Sequence, residues 1–151
     1  MSFTTPCFIR KNSKELQDKL ASIGYSICRC ANFTNAEWLN TLPINGTIHG
    51  KGYLDVEMEF PDLTVEKELN RFVSENPEYI DCGTNEKLFL AIAALRCDSD
   101  KNQWFISYDG VYVLCDQSEL KHVIDNNNSY EEYCVSEFHK ATVKELINHF
   151  R

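Results

Sequence analysis

The sequence predicts an α+β fold built from two tandem β-α-β-β-β-α halves, with a mostly antiparallel sheet covered by four helices. The first observation is a strand and an apolar helix pattern at residues 78–95, with a fainter copy upstream at residues 7–25. The second is a hairpin turn of Asn-Gly or Asp-Gly after each copy. The third is a helix pattern beginning with Thr-Val at the end of each half. Because these features recur in one order, we predict a single duplicated domain, 1–151, with halves at about 6–76 and 77–151.

The first half opens with a strand at residues 7–9 and a helix that ends at Gly24, a residue type common just after a helix. Asn12 or Ser13 is expected to cap this helix, and Glu15 follows Asn12 at the spacing of a capping box. The apolar residues of the helix recur at helical spacing and share one face: Leu16, Leu20 and Ile23. We therefore expect this face to be buried.

The remainder of the first half has the pattern of several strands followed by a second helix. Alternating apolar residues predict strands at residues 25–30 and 53–60. Between these strands, the turn at residues 43–46 predicts a hairpin of residues 38–41 and 47–50, with a short helix capped at Thr34 as the alternative. Thr64 is expected to cap a helix at about 65–75.

The second half repeats this order. Its predicted elements are a strand at 79–81, a helix at 85–95, a hairpin at 103–115, a strand at 133–138 and a final helix near the C-terminus. Thr84 is expected to cap the first of these helices and Thr142 the last, with Glu145 completing a capping box. Residues 116–130 are polar and rich in Asn, and they are predicted to form a mobile loop.

Composition excludes several classes of protein. Apolar residues make up 43% of the chain, which excludes general disorder. The net charge is −8 and the basic residues are dispersed, which excludes a long nucleic-acid-binding track. No apolar run reaches the roughly 18 residues that a membrane-spanning helix needs, and no secretory signal pattern opens the chain. The seven cysteines are odd in number and irregularly spaced, so we interpret them as reduced thiols in a cytoplasmic protein.

The chain contains the segments CGTNEKLFLAIAALR at residues 82–96, DSDKNQW at 98–104 and HKATVKELINHF at 139–150. Together they resemble a group of small uncharacterised accessory proteins from phages that infect gut bacteria. The resemblance covers residues 79–108 and 138–150. It implies an accessory protein that acts in the cytoplasm of a bacterial host and engages a component of that host. It implies no catalytic residues.

A basic cluster at the start of the first helix predicts an anion site. Arg10, Lys11 and Lys14 supply three cations, and Asn12 and Ser13 supply polar caps. The unpaired N–H groups and the positive dipole end of a helix start favour an anion at the same place. These residues are therefore the predicted ligand-binding site, for a partner such as a small anionic metabolite.

The hairpin at residues 103–115 carries the predicted binding platform. Trp104, Tyr108 and Tyr112 lie on or beside its two strands. Aromatic side chains at this density suit either a packed core or a surface that binds a ligand by stacking. The sequence leaves both alternatives open.

Two other patterns partly resemble metal sites. Cys28-x-Cys30 would place two thiols on one face of a strand, but zinc needs four ligands and no second closely spaced pair exists. Residues 98–102 have the oxygen spacing that opens a calcium loop, but Gln103 stands where that loop requires glycine. We therefore predict no metal site.

Cys82 is the remaining candidate for catalysis, because it precedes a predicted helix, where the helix dipole favours negative charge. A nucleophile also needs a base within reach, and the four histidines are scattered along the chain. We therefore favour a non-catalytic binding protein without a cofactor, acting in phage counter-defence on a host protein or on a small anionic, nucleotide-like metabolite. The alternatives are a small hydrolase or transferase that uses a cysteine or histidine, and a virion assembly component.

Overall fold

A computed structural model of the chain describes residues 3–27, 37–50, 65–126 and 133–151. In these residues five helices and eight strands follow one another, and the strands form two sheets in which four of the six strand pairs are antiparallel. The predicted α+β class is therefore confirmed. The described residues contain one helix more than the four predicted, and their strands form two sheets.

The helices are α1 (Lys14–Ile23), α2 (Val65–Glu75), α3 (Glu86–Ala93), α4 (Leu120–Asn126) and α5 (Val143–Phe150). The strands are β1 (Cys7–Ile9), β2 (Ser26–Ile27), β3 (Leu39–Leu42), β4 (Thr47–Gly50), β5 (Ile80–Asp81), β6 (Trp104–Ser107), β7 (Tyr112–Leu114) and β8 (Phe138–Lys140). Within the described ranges, every helix is too short or too polar to span a membrane.

The first sheet has the strand order β2-β4-β3-β1-β5. Its central strand β1 pairs antiparallel with β3 and parallel with β5, so the first strands of the two predicted halves lie side by side. All three residues of β1 are buried. Cys7 and Ile9 join the main core on one face of the sheet, and Phe8 packs on the opposite face.

The second sheet has the strand order β7-β6-β8, and both of its pairs are antiparallel. β6 and β7 form the hairpin predicted from Asp109-Gly110. Gly110 has a φ of 89°, and Gly46, in the turn between β3 and β4, has a φ of 64°. Side chains are strained in this region of backbone conformation, which explains the glycine at each turn.

The main hydrophobic core lies between the first sheet, one face of the second sheet and the helices α1, α3 and α5. Leu20 of α1, Ile92 of α3 and Leu146 of α5 are fully buried in it. Most residues of α3 are buried, and this helix contacts β1, α1 and α5. The most apolar segment of the sequence is therefore the central helix of the core.

Two smaller clusters cover the opposite faces of the sheets. On the first sheet, Phe8 and Trp38 pack against Leu69 and Phe72 of α2. On the second sheet, residues of the β6–β7 hairpin and of the segment after it pack together with α4: Phe105, Val113, Cys115, Leu120, Val123 and Ile124. Each sheet is therefore covered by helices on both faces.

The observed N-caps match the predicted ones at α1 and α5 and differ from the prediction at α3. Ser13 caps α1, and Thr142 caps α5 in a capping box with Glu145, as predicted. Thr84 does not cap α3. The cap is Asn85, whose Oδ1 accepts a hydrogen bond from the backbone N–H of residue 88 at 3.1 Å, because the helix begins one residue later than predicted.

The prediction of a loop at residues 116–130 is wrong in the centre of this range, where α4 forms. Leu120, Val123 and Ile124 of α4 are buried against the second sheet. Their spacing is helical, but the polar residues around them hide the pattern in a local reading of the sequence. The predicted strand at residues 133–138 is also displaced, since a 3₁₀ helix, Val135–Glu137, precedes β8.

The strand pairing does not show the predicted tandem duplication. The first strand of the first half, β1, pairs with β3 of its own half. Its counterpart in the second half, β5, pairs instead with β1, while β6 pairs with β8 in the other sheet. The predicted strand at residues 53–60, the cap Thr64 and the Cys28-x-Cys30 pair lie outside the described residues.

Candidate ligand-binding groove

An open groove lies between three helices and the β6–β7 hairpin, and its volume is about 460 Å³. The residues that line it come from α1, α3, α5, the hairpin and the turn before it: Lys19, Ser22, Ile23, Lys87, Leu90, Ala91, Asn102, Trp104, Leu114, His149 and Phe150. We call this surface the binding groove.

The apolar wall of the binding groove is formed by Trp104 and Phe150. Their ring centroids are 5.3 Å apart and the rings meet edge to face, at 70°. Strand alternation turns Trp104 to this side of β6, because its neighbour Phe105 packs with α4 on the other side. The backbone of Phe150 is held by Asn85, whose Nδ2 donates to the Phe150 carbonyl at 2.6 Å. Both rings therefore stand on ordered elements.

His149 and Tyr112 extend this aromatic wall. Their rings stack, with centroids 3.8 Å apart and planes 10° from parallel. Tyr112 Oη donates to the Glu145 carbonyl at 3.3 Å, which ties β7 to α5. The ring of His149 also lies 6.1 Å from that of Trp104. The aromatic cluster thus joins the last helix to the hairpin.

The charged groups of the binding groove are basic. Lys19 of α1 and Lys87 of α3 are both exposed. None of the described residues that line the groove is acidic, although the chain has a net charge of −8. Asn102, at a φ of 67°, adds a carboxamide that can donate and accept hydrogen bonds. The groove is therefore locally positive on an acidic protein, and this favours anionic ligands.

This arrangement is suited to holding a ligand. A planar ring can pack against the aromatic wall, while ammonium groups pair with a phosphate or a carboxylate. Among the described residues that line the groove there is no cysteine, and His149 is the one general base. Ser22, the hydroxyl residue of the lining, donates its O–H to the Lys19 carbonyl at 2.6 Å. The groove therefore offers stacking and charge pairing.

The anion site predicted at the start of α1 is held by acidic residues of the second half. Arg10 makes two contacts with Asp81, Nη2 to Oδ2 at 2.7 Å and Nε to Oδ1 at 3.4 Å. Lys11 Nζ lies 3.4 Å from Glu86 Oε2. Burial raises the pKa of Asp81, but the Arg10 guanidinium and the Gly83 N–H lower it, and the net shift of the pKa is downward. Two of the three predicted cations are therefore already paired.

The other three residues of that predicted site have different roles. Ser13 Oγ accepts the cap hydrogen bond from Leu16 N at 3.2 Å. Asn12 Oδ1 accepts from Gln17 Nε2 at 2.6 Å. Lys14 is exposed as the first residue of α1. The site stays a prediction, and it is separate from the residues that line the binding groove.

The predicted aromatic platform is divided between two places. Trp104 lines the binding groove, and Tyr112 stacks beside it on His149. Tyr108 lies at the hairpin turn, where 76% of its surface is exposed and its ring centroid is 6.4 Å from that of Tyr133. The structure therefore brings two of the three platform residues together at the groove.

Cys82, the candidate nucleophile, is 2% exposed. It contacts Cys7, and burial together with this contact raises the pKa of Cys7 well above its ordinary value. Within the described chain, the two thiols also form hydrogen bonds with Thr41 and with the backbone carbonyls of Ile80 and Phe89. Cys82 therefore fills space in the core beneath the Gly83 turn.

Residues 98–102, which have the spacing of a calcium loop, lie between α3 and β6, and their Asp100 contacts the start of α4. Asp100 Oδ2 accepts a hydrogen bond from Leu120 N at 3.0 Å, and Asp100 Oδ1 lies 3.8 Å from Lys140 Nζ. Across the part of the chain that the structure describes, no group of three His, Cys, Asp or Glu residues could hold a metal ion.

Sequence patterns did not single out Lys19, Lys87, His149 or Phe150. Isolated lysines are common on exposed helix faces, and an aromatic pair near a C-terminus reads as ordinary core. One signal was present at Lys87, a basic side chain within the most apolar helix of the chain. Only the packing of α1, α3 and α5 around the hairpin brings these residues together.

Comparison with known proteins gives no relative for this arrangement. No protein-family model, no curated protein and no solved structure matches the chain.

Proposed function

We propose that this chain is a non-catalytic binding protein whose binding groove holds a small anionic ligand with a planar ring, such as a nucleotide. One observation carries the proposal: the groove is apolar and lined by rings, and its described charges are the ammonium groups of Lys19 and Lys87. The apolar wall favours a ring, because its contact removes apolar surface from water. The lysines favour an anion on the same molecule.

The dimensions of the binding groove suit a ligand of this size. Pockets for small molecules commonly have volumes of about 300–1,000 Å³. The groove, at about 460 Å³, falls within that range. α1 and α3, which carry the two lysines, pack against each other. Stacking of a base on an aromatic ring such as Trp104 stabilises a complex by about 1–3 kcal/mol.

We further propose that the protein is a phage accessory protein that sequesters such a metabolite in the cytoplasm of a bacterial host, as a counter-defence. The segments that carry the resemblance to phage proteins support this role, because each supplies residues to the groove. Lys87 belongs to the first segment, Trp104 to the second, and His149 and Phe150 to the third.

Calorimetric titration with a panel of nucleotides and cyclic nucleotides tests the proposal. The double variant Lys19→Glu with Lys87→Glu should weaken binding by about a hundredfold or more, because two charge-assisted contacts become repulsive. Its melting temperature should stay close to wild type, since both side chains are exposed. The matched control is Lys121→Glu with Lys144→Glu, which changes the net charge equally at exposed positions that do not line the groove.

A second pair of variants separates the binding groove from the anion site predicted at Arg10 and Lys11. Arg10→Glu with Lys11→Glu should leave nucleotide affinity unchanged, because both residues pair with carboxylates outside the groove. Loss of binding in this variant, with retention in Lys19→Glu and Lys87→Glu, would move the ligand to the start of α1. Absence of binding by wild type to every member of the panel would overturn the nucleotide proposal.

We also propose that the chain arose by tandem duplication. In its support, Leu20 and Ile92 stand at equivalent positions of the two halves and are both fully buried in one core. The glycines of the two hairpin turns, Gly46 and Gly110, both have positive φ. Equivalent losses of stability on truncation of Leu20 and Ile92, measured as described below, are the expected result for true copies.

A further inference from the structure

β7 is an edge strand of the second sheet. The strand order β7-β6-β8 leaves β7 with one neighbour among the described strands. Its register on β6 pairs Tyr112 with Ile106 and Leu114 with Trp104. Unpaired edge strands are sites at which proteins add a strand from another chain.

The backbone of β7 presents hydrogen-bonding groups on its outer side. Val111 O accepts from Ser107 N, and Cys115 N donates to Gln103 O, both at 2.9 Å. Because hydrogen-bonded positions alternate along an antiparallel pair, the N–H and C=O groups of residues 112 and 114 point away from β6. Within the described chain, no backbone partner of these outward groups occurs.

The edge is flanked by two grooves that share residues. A second groove of about 410 Å³ lies between β7 and α4. It has Trp104 and Leu114 in common with the binding groove, so the two grooves meet at the edge. Its other side is polar, with Asp116, Gln117 and His122. Leu114, which touches both grooves, is 44% exposed.

We propose that β7 binds an extended segment of a partner protein as an added strand. Successive side chains of a strand point to opposite faces, so those of the added segment would enter the two grooves alternately. The binding groove, with its ring wall and Lys19 and Lys87, selects aromatic and acidic residues at one set of positions. The polar second groove selects residues such as Gln or Ser at the other.

This inference is carried by the backbone groups of β7 and does not depend on a nucleotide in the binding groove. The occupant is an acidic, aromatic segment of another protein because the groove carries basic charge in its described lining. A second copy of this chain and a small molecule alone are the competing occupants, and the experiment below separates them.

The test uses N-acetylated heptapeptides in which Gln or Ser alternates with Phe, Leu or Asp. A peptide with both Phe and Asp should bind the full-length protein, and binding should slow hydrogen exchange at the amides of Tyr112 and Leu114. The amide of Val113, which faces β6, serves as the internal reference. The same peptide, N-methylated at the positions that would pair, should bind about tenfold more weakly or worse, because backbone hydrogen bonds are lost.

Two variants isolate the backbone contribution. Leu114→Pro removes an outward N–H without removing a bond to β6, and proline is tolerated on edge strands. Leu114→Ala trims the side chain but keeps the N–H. Peptide affinity should fall about tenfold further in Leu114→Pro than in Leu114→Ala. If Leu114→Pro fails to fold by circular dichroism, the exchange measurement on wild type decides the matter.

Three results would overturn the proposal. The first is that, in the free protein, the amides of Tyr112 and Leu114 are as well protected from hydrogen exchange as the amide of Val113. The second is absence of peptide binding, or equal binding of the N-methylated peptide. The third is that protection of the Tyr112 and Leu114 amides rises with protein concentration in the absence of peptide. This result would mean that a second copy of the chain binds at β7. Nucleotide binding that persists through any of these results would leave the proposed function intact.

Discussion

Leu20 and Ile92 are two of the side chains through which α1 and α3 pack into the core. Both are fully buried in the main core. Truncation of a buried aliphatic side chain to alanine removes hydrophobic burial and leaves a cavity. We therefore expect Leu20→Ala and Ile92→Ala each to lower the free energy of unfolding by about 2–5 kcal/mol in urea melts. Ile44→Ala is the control, because Ile44 is 93% exposed, and its melt should overlay wild type.

Asp81 gives the protein a pH-dependent contribution to stability. Its pKa is lowered in the folded state, because the Arg10 ion pair and the Gly83 N–H outweigh the effect of burial. A lowered pKa contributes stability that is complete above the unfolded pKa of about 3.9 and is lost as pH falls through the folded value. Both partners are nearly half exposed, at 43% for Asp81 and 44% for Arg10, so screening limits the contribution. It should not exceed about 1 kcal/mol.

Asp81→Asn tests this contribution in urea melts between pH 2 and 7, a range chosen around the unfolded pKa of about 3.9. The variant should be less stable than wild type at pH 7, and the difference should shrink as the solution is acidified below about pH 4. Asp125→Asn, at an exposed position of α4, is the control. A stability difference that stays constant with pH would contradict the assigned role of the Arg10–Asp81 pair.

At the scale of elements, the start of α5 is the clearest case of a local signal that determines an element boundary. Thr142 Oγ1 accepts from Glu145 N at 3.2 Å, and Glu145 Oε1 accepts from Thr142 N at 3.0 Å. Thr142→Ala should therefore lower the free energy of unfolding by about 1 kcal/mol. The same change at Thr84 should have little effect, because Asn85 caps α3. Equal losses at Thr84 and Thr142 would refute this assignment of the caps.

α4 illustrates the opposite case, an element that local signals hide. Its seven residues include three that are buried, Leu120, Val123 and Ile124, on the face toward the second sheet. A helix this short is unstable alone, so it forms because the sheet buries that face. Asp100, twenty positions before Leu120 in the chain, accepts a hydrogen bond from the Leu120 N–H. Neither contact is visible in the local pattern of residues 116–130.

At the scale of the whole molecule, the described cysteines agree in being reduced. The structure describes five cysteines, and none of these five forms a disulfide: Cys7, Cys82, Cys97, Cys115 and Cys134. We expect all seven thiols of the chain to react with a thiol reagent in denaturant without reductant. In the native protein Cys97 and Cys134 should react fastest, because they are exposed, whereas Cys7, Cys82 and Cys115 are buried. A shortfall of two thiols in denaturant would indicate a disulfide and contradict the prediction.

The binding groove also belongs to this scale, because no single element contains it. α1, α3, α5 and the β6–β7 hairpin each contribute part of its lining. Trp104 could be singled out from the sequence, as an aromatic residue on a predicted hairpin. Its neighbours Lys19, Lys87 and Phe150 could not, since they lie far apart along the chain and each is unremarkable in its own segment.

The features that could be predicted from the sequence are those set by local chain geometry. Glycine at a positive φ, as at Gly46 and Gly110, and a hydroxyl cap, as at Ser13 and Thr142, depend only on neighbouring residues. The α+β class, the two hairpins and the buried stripe of α1 could be predicted for this reason.

Contacts between residues that are distant in the chain could not be predicted from the sequence. The parallel pairing of β1 with β5 brings Arg10 to Asp81, so that a cluster predicted to attract an anion is matched by carboxylates within the protein. Contacts between distant residues also set the division into two sheets and the position of α4. They bring two lysines and two rings together in the binding groove. Such contacts depend on which apolar faces bury one another, and this is a property of the whole chain that no local pattern encodes.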